Sequence, residues 1–271
     1  MTRRRFLVLL PAACVVAALC GGAAAPEPAE EVRFCFVQIT DTHFGDDDHA
    51  ERTARAVEMI NRLPMKVACV VHTGDVVEDR IADPNTVRAA RKTLDRLRAP
   101  LHYLPGNHDI SRLTPAEHAA LYRKQFGPLC SRAEYHGVVF LMVYTEPPAK
   151  GFAVPGFDPL AWLEKALKAA RGKPVIVFHH RPCVGDFYGN RVHPGWPAEA
   201  RKRWVDLLNA HNVRAVLAGH FHRDEQYWLG RVPLYVSAPV AGYFGRQGSF
   251  RIYEYHNGRL SYRSQYIRMD R

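Results

Sequence analysis

Leu104-Pro105-Gly106-Asn107-His108-Asp109 is the stretch on which the interpretation of this chain depends. It follows a short, mostly apolar run at residues 100–103 that is typical of a β-strand, and its Pro and Gly end that strand and turn the backbone. The turn then presents an amide, an imidazole and a carboxylate, and an imidazole can bind a metal ion or carry a proton near neutral pH. Because Asn and Asp also favour turns, the stretch by itself is equally compatible with a solvated turn.

Predicted strands and helices alternate along the chain from Val32 onward, which is typical of an α/β domain. Asp83-Pro84 and Thr114-Pro115 each place an N-cap residue before a Pro and therefore predict helix starts. The last third of the chain, residues 232–267, is rich in predicted strands. Apolar runs predict strands at 33–40, 67–72, 138–144, 175–178 and 213–218, and amphipathic segments predict helices at 49–63, 84–98, 158–171 and 197–211.

Polar side chains that can bind metal directly follow five of the predicted strands. Since ligands bind at the carboxyl ends of strands in open α/β sheets, these five strand ends can converge on one point. In an Asp-x-His or His-x-His pair the two side chains face the same way in extended backbone, so each pair can hold one ion. The five segments are Asp41-Thr42-His43, Thr73-Gly74-Asp75, Gly106-Asn107-His108, His179-His180 and Gly219-His220-Phe221-His222.

The number and type of these side chains favour two metal ions over one. Two Asp, one Asn and four His exceed the needs of a single ion, whereas a shared carboxylate would join a pair of ions. Nitrogen and oxygen ligands without thiolate favour iron, manganese, zinc or cobalt over calcium or copper(I). Two ions about 3.5–4 Å apart can convert a bridging water to hydroxide and hold the phosphoryl oxygens during in-line displacement at phosphorus.

Taken in order, the five segments resemble the motif series of the calcineurin-like metallophosphoesterases. The similarity covers nearly the whole chain after the N-terminal segment. It implies an α/β fold of two facing mixed β-sheets flanked by helices, in a four-layer α/β/β/α sandwich. It also implies hydrolysis of phosphate monoesters or diesters that depends on a dinuclear metal centre. A non-catalytic protein with the same fold and a nuclease remain as alternatives.

The resemblance further implies a role for each matched residue. His108 would stabilise or protonate the leaving oxygen rather than bind metal. The family often has His-His-Pro-Pro where this chain has His179-His180-Arg181-Pro182, and this register predicts His179 rather than His180 as a ligand. Seven residues would then hold the ions: Asp41, His43 and His222 the first, Asn107, His179 and His220 the second, and Asp75 both.

Several neighbouring side chains are candidates for contact with substrate. Arg181 places an extra cation beside the site, where it either binds a second anionic group or covers the surface. Glu78 stands where the family commonly has Asp or Asn, and we interpret it as a residue that supports the site or begins a helix. Asp109 is interpreted as a turn carboxylate. The substrate-binding candidates, two of them from the loop at 184–197, are His180, Arg181, Tyr188 and His193.

The first 25 residues predict a signal peptide of the twin-arginine type. Arg3-Arg4-Arg5 precedes an apolar run at residues 8–19 that is too short to span a membrane comfortably, and Ala23-Ala24-Ala25 suits cleavage. A retained membrane anchor is the alternative. We expect export to the periplasm or cell exterior without stable membrane insertion after cleavage. Residues 26–31 would then be a linker and residues 32–271 the metallophosphoesterase domain.

Charge and cysteine content narrow the range of partners. The net charge is +10, and removal of the three N-terminal arginines leaves +7, which suits small anionic phosphoester substrates. Specific nucleic-acid binding is not expected, because the basic segment at 88–98 lacks interleaved aromatic residues. Four cysteines follow the signal peptide without a Cys-x-x-Cys pattern, which disfavours a thiolate zinc site. Cys130 and Cys183 lie in loop-like sequence and could pair in an oxidising compartment.

Overall fold

The computed structural model describes residues 32–46, 48–186 and 195–269. Within these ranges no helix is both long enough and apolar enough to cross a bilayer. The strands are β1 (Arg33–Ile39), β2 (Val67–His72), β3 (Leu101–Tyr103), β4 (Cys130–Tyr135), β5 (Val138–Val143), β6 (Val175–Phe178), β7 (Val213–Ala218), β8 (Glu225–Leu229), β9 (Val232–Val236), β10 (Ser249–His256) and β11 (Arg259–Tyr266). The helices are α1 (His49–Asn61), α2 (Pro84–Leu94), α3 (Pro115–Gln125), α4 (Glu146–Lys150), α5 (Pro159–Ala169) and α6 (Ala198–Ala210), with a short 3₁₀ turn at Tyr243–Gly245.

The strands form two mixed sheets. The first has the order β11-β10-β1-β2-β3, in which β1, β2 and β3 are parallel and β10 runs antiparallel to both of its neighbours. The second has the order β4-β5-β6-β7-β9-β8, in which β5, β6, β7 and β9 are parallel and the two edge strands are antiparallel. Parallel strands place their carboxyl ends at one edge of a sheet, so both sheets offer such an edge.

The two sheets face each other across an aromatic core. Phe36 of the first sheet packs edge-on against Phe140 of the second, with ring centroids 4.9 Å apart, and stacks on Tyr253 at 5.0 Å. The outer face of the first sheet packs against α1, α2 and α3, and that of the second packs against α5 and α6. This arrangement confirms the fold expected from the resemblance, two facing mixed sheets flanked by helices.

Three elements were not predicted from the sequence: β4, α4 and β8. β4 is only partly buried and carries Arg132 and Glu134. β8 alternates between half-buried and exposed positions and has only five residues, and α4 is a five-residue helix with two prolines. Cys130 therefore lies in a strand rather than a loop, and it is not paired with Cys183, since both thiols are free.

Candidate metal centre

The five polar segments singled out from the sequence converge at the carboxyl ends of β1, β2, β3, β6 and β7. Several of the side chains that meet there come from residues in left-handed backbone conformation. For a residue other than glycine this conformation costs about 1–2 kcal/mol. The residues and their φ angles are Asp41 (53°), His43 (43°), Asp75 (55°), His220 (71°) and His222 (52°).

Two glycines allow the loops to approach one another closely. A Cβ atom on Gly106 would collide with the carboxylate of Asp75, and one on Gly219 would collide with Thr40 and with the carboxylate of Asp41. Glycine is therefore required at these positions because the carboxylates lie against the neighbouring backbone. The glycines of the Gly-Asn-His and Gly-His segments thus allow the loops that carry the ligand residues to lie close to one another.

Asp41, His43 and His222 form the first group of potential ligands. The Nε2 atoms of His43 and His222 are 3.3 Å apart, and Asp41 Oδ1 lies 3.2 Å from His222 Nε2 and 3.7 Å from His43 Nε2. Ligand atoms that share one ion at bond lengths near 2.1 Å are expected to lie roughly 3.0–3.4 Å apart. The three side chains therefore have the donor atoms and close to the spacing that a bound transition-metal ion requires.

Asp75, His180 and His220 form the second group. Asp75 Oδ2 lies 3.0 Å from His180 Nε2, and His220 Nδ1 lies 3.2 Å from the same nitrogen. The same Asp75 oxygen is 3.9 Å from His43 Nε2, so Asp75 stands between the two groups. The six residues Asp41, His43, Asp75, His180, His220 and His222 are called the ligand cluster below.

The structure places His180, and not His179, in the ligand cluster. The His180 Nδ1 atom is 2.9 Å from the carbonyl oxygen of Thr73, and a hydrogen bond donated to that oxygen leaves Nε2 free to bind metal. His179 instead packs edge-on against Trp204 and Trp196, with ring centroids 5.2 and 6.0 Å apart. Burial lowers the pKa of His179 to about 3, which is consistent with a neutral core residue. We therefore replace His179 by His180 in the proposed ligand set.

Asn107 and Arg181 lie beside the second group. The Arg181 guanidinium donates one hydrogen bond to Asn107 Oδ1 at 3.1 Å and another to His220 Nε2 at 2.5 Å. Its Nε atom pairs with both carboxylate oxygens of Glu146 at 2.9 and 3.1 Å, and both side chains are buried. Arg181 is thus part of the site, whereas the candidates Tyr188 and His193 lie outside the described residues.

His108 lies next to the ligand cluster and is oriented by carboxylates. Its backbone N–H donates to Asp75 Oδ1 at 2.8 Å, and its Nδ1 lies 3.2 Å from both Glu78 Oε1 and Asp79 Oδ2. Burial lowers the pKa of His108, but the nearby Asp75 and Glu78 carboxylates outweigh burial and raise it. The side chain is 32% exposed, so it can reach a bound molecule.

Glu78 has a larger role than the sequence suggested. One of its oxygens faces His108, and the other contacts His43 Nδ1 and accepts a hydrogen bond from the Tyr243 hydroxyl at 3.1 Å. Glu78 therefore fixes the position of His43, a potential metal ligand, relative to His108, the candidate proton donor. Its position three residues after Asp75 was the available signal, but nothing in the sequence indicated contact with two histidines.

The electrostatics of the ligand cluster favour a bound cation. Burial alone would lower the pKa of His43 and of His180, yet contact with Asp41 and Glu78 raises that of His43 to about 10 and contact with Asp75 raises that of His180 to about 9. These shifts show that the buried carboxylates attract positive charge strongly. The donors are carboxylate oxygens and imidazole nitrogens, which suits iron, manganese, zinc or cobalt.

Asp109 joins two of the loops that carry the ligands. Its side chain is fully buried and accepts hydrogen bonds from the backbone N–H groups of Val76, Val77 and Gly106 at 2.9–3.0 Å. Burial, followed by the charge of Asp75, raises the pKa of Asp109 to about 6. Asp109 is a turn carboxylate, as interpreted from the sequence, but it binds the loop after β2 as well as its own turn.

Known proteins resemble the chain in both sequence and fold. The family model for calcineurin-like phosphoesterases matches residues 35–224. The serine/threonine-protein phosphatase CPPED1 of Mus musculus is 27% identical over 248 residues, which cover 79% of this chain and 77% of that protein. The glycerophosphodiester phosphodiesterase GpdQ of Enterobacter lignolyticus is 29% identical over 206 residues, which cover 68% of this chain and 69% of that protein.

A solved structure supports the same assignment at the level of fold. A dimetal phosphatase from Danio rerio aligns with a TM-score of 0.62 at 15% identity, covering 87% of this chain and 99% of that one. The family match spans the five segments that form the candidate metal centre, from Asp41 to His222. The chain therefore belongs to the calcineurin-like phosphoesterase family and is a metal-dependent phosphoesterase.

Proposed function

We propose that this chain hydrolyses phosphate esters at a dinuclear metal centre. The proposal rests on the position of Asp75. Its Oδ2 atom lies between His43 of one ligand group and His180 of the other. When bound, two transition-metal ions supply Lewis acidity for the phosphoryl oxygens and activate water as the nucleophile. The residues that would hold them are Asp41, His43 and His222 for the first ion, His180, His220 and Asn107 for the second, and Asp75 for both.

His108 is the proposed proton donor to the leaving oxygen. It contacts Asp75 through its backbone and Glu78 through its ring, so its imidazole is held beside the ligand cluster without belonging to it. Arg181 has a buried guanidinium that donates a hydrogen bond to Asn107, and this position supports the proposal that it contacts an anionic part of the substrate. These residues bind and orient the ester and supply a proton.

Both phosphate monoesters and diesters are within the proposed substrate class. The relatives named above are a phosphatase and a phosphodiesterase, which supports phosphoesters in general without selecting between them. The complete ligand cluster argues against a non-catalytic scaffold, because loss of chemistry normally removes a ligand. A small anionic phosphoester, rather than a nucleic acid, is the substrate class that we propose.

The test compares wild-type protein with the His108→Ala variant after metal loading. The substrates are an aryl and an alkyl ester of phosphate, and metal content is measured on the same samples. A positioned acid contributes about 10²–10⁴-fold in rate. We expect His108→Ala to keep its metal and to lose rate by about that factor on the alkyl ester, with a smaller loss on nitrophenyl phosphate. Absence of turnover by loaded wild-type protein on both monoesters and on an aryl phosphate diester contradicts the proposed function, and loss of metal from the variant would make His108 a ligand.

Export is a separate proposal that rests on the sequence of the first 25 residues, which lie outside the described residues. We propose that a twin-arginine-type signal directs the chain out of the cytoplasm and is then removed. Replacing Arg3 and Arg4 by Lys is expected to stop export, because that route reads paired guanidinium groups. Immunodetection of processed protein in the periplasmic fraction measures the effect, and continued processing of the variant would point to the general secretion route.

A further inference from the structure

A cavity of about 370 Å³ adjoins the metal centre on the side of Asn107 and Arg181. Phe152 and Ile110 give it an apolar wall, and Arg112 and Lys150 lie among its exposed lining residues. Pockets for small molecules typically have volumes of about 300–1,000 Å³, so this one suits a short substrate rather than a macromolecule. None of the roles assigned above uses the outer part of this cavity.

The cavity carries an excess of positive charge. The buried Arg181 is balanced by its pair with Glu146, and Asp79 is the remaining acidic group of the lining. Arg112 and Lys150 have no ion-pair partner within the part of the chain that the structure describes. Burial, followed by the charge of Arg181, lowers the pKa of Lys150, so these cations lie near enough to repel one another. Such a group of cations is favourable when an anion lies between them.

The cavity lies on the side of the ligand cluster where the leaving alcohol of a bound ester is expected. Asp79 lines the cavity and also contacts His108 Nδ1 at 3.2 Å. Asn107, which precedes His108 in the chain, lines it as well. Since His108 is the proposed proton donor to the leaving oxygen, an ester bound at the ligand cluster would direct its alcohol part into this cavity.

We propose that the cavity binds an anionic group on the leaving alcohol, so that the preferred substrates are small phosphate esters carrying a second anion. Arg112 and Lys150 bind that anion, either a carboxylate or a second phosphate, and Phe152 packs against the short carbon chain. Arg181 lies where the cavity meets the ligand cluster. This inference rests on the proposed function, because it takes His108 to mark the leaving side.

The first experiment measures turnover of three matched esters by metal-loaded protein. They are propyl phosphate, 3-phosphooxypropionate and propane-1,3-diol bisphosphate, so that the carboxylate and the second phosphate are tested separately. We expect kcat/KM for at least one of the two esters that carry a second anionic group to exceed that for propyl phosphate by about fivefold to thirtyfold. In Arg112→Gln/Lys150→Gln this ratio should fall towards one, and in the control Lys165→Gln/Arg203→Gln, which removes two exposed charges elsewhere, it should not change.

The second experiment measures binding without turnover. Calorimetry on the same metal-loaded proteins compares 3-phosphonopropionate with propylphosphonate, and the first is expected to bind more tightly to wild type but not to the Arg112→Gln/Lys150→Gln variant. Turnover of all three esters at equal efficiency, with equal phosphonate affinities, overturns the inference and leaves the proposed function intact. Selective phosphonate binding without turnover of the three esters or of an aryl phosphate diester supports the anion site and contradicts the proposed function.

Discussion

His179 and His180 are adjacent in the chain and have opposite surroundings. Along β6 and the residues after it, Ile176 and Phe178 face the other sheet, and His180 continues that alternation into the ligand cluster. Val177 faces the helices, and His179 continues on that side against Trp204. Side chains alternate between the two faces of a strand, so only one of two neighbouring histidines can reach the metal centre.

Substitution of each histidine is expected to give a different result. His180→Ala should lower the metal content of loaded protein from about two ions per chain towards one, because it removes a ligand of the second group. His179→Ala should keep the metal but lower the free energy of unfolding by about 2–4 kcal/mol, since it leaves a cavity beside Trp204. Elemental analysis and urea unfolding of both variants provide the measurements. Loss of metal from His179→Ala alone would show that His179 is the ligand, as predicted from the sequence.

The sequence identified the residue types of the candidate metal centre but not which of the two adjacent histidines belongs to it. β6 is buried on both faces, so Val175-Ile176-Val177-Phe178 shows no alternation of apolar and polar residues that would reveal which face meets the other sheet. Glu78 was underestimated for a related reason. Its contacts with His43 and His108 join residues that are distant in the chain, and only the folded arrangement brings them together.

At the scale of elements, the loops after β2 and β3 act as one unit because Asp109 binds both. Removing its carboxylate leaves the buried N–H groups of Val76, Val77 and Gly106 without their acceptor. Each such group costs about 1–3 kcal/mol. Asp109→Ala should therefore lower the melting temperature by about 6–12 °C, the shift that about 3 kcal/mol produces in a chain of this size.

A matched control for this prediction is Asp206→Ala, which removes an exposed carboxylate from α6. Substitutions of that kind usually change stability by no more than about 0.5 kcal/mol. Differential scanning calorimetry of the two variants and wild type measures the shift. Equal melting temperatures for Asp109→Ala and Asp206→Ala would show that the two loops are held together by other contacts.

The elements whose bounds sequence patterns predicted most accurately have a buried face. The bounds of β2, β6 and β7 agree with the predicted segments, and α1 and α6 differ from them only at their ends. Two of the three elements missed from the sequence, β4 and β8, are short edge strands, and the third, α4, has only five residues. An edge strand pairs on one side only, and these two carry polar side chains, so their periodicity is weak in the sequence.

At the scale of the whole molecule, the candidate metal centre connects the two sheets. Asp41 and Asp75 follow strands of the first sheet, whereas His180 and His220 follow strands of the second. An ion bound by residues from both sheets opposes their separation, and it also neutralises buried carboxylates that otherwise attract protons. The metal is therefore expected to stabilise the fold as well as to support the reaction.

Removal of metal should accordingly lower the melting temperature. A ligand at a hundredfold excess over its dissociation constant stabilises the native state by about 2.7 kcal/mol. We expect loaded wild-type protein treated with a chelator to melt several degrees lower, and to recover when manganese or zinc is added back. The Asp75→Ala variant serves as the control and should respond weakly to either treatment. Identical melting curves for loaded and chelated wild-type protein would contradict a metal centre that spans the two sheets.

The left-handed backbone at the proposed ligand residues has a consequence for how the metal centre can be tested. Asp41, His43, Asp75, His220 and His222 all adopt a conformation that glycine tolerates better than other residues. Substituting one of them by alanine would remove the ligand and keep the strained backbone, whereas substituting it by glycine would remove the ligand and relieve that strain. Paired alanine and glycine variants therefore separate the loss of a ligand from the effect of backbone strain on stability.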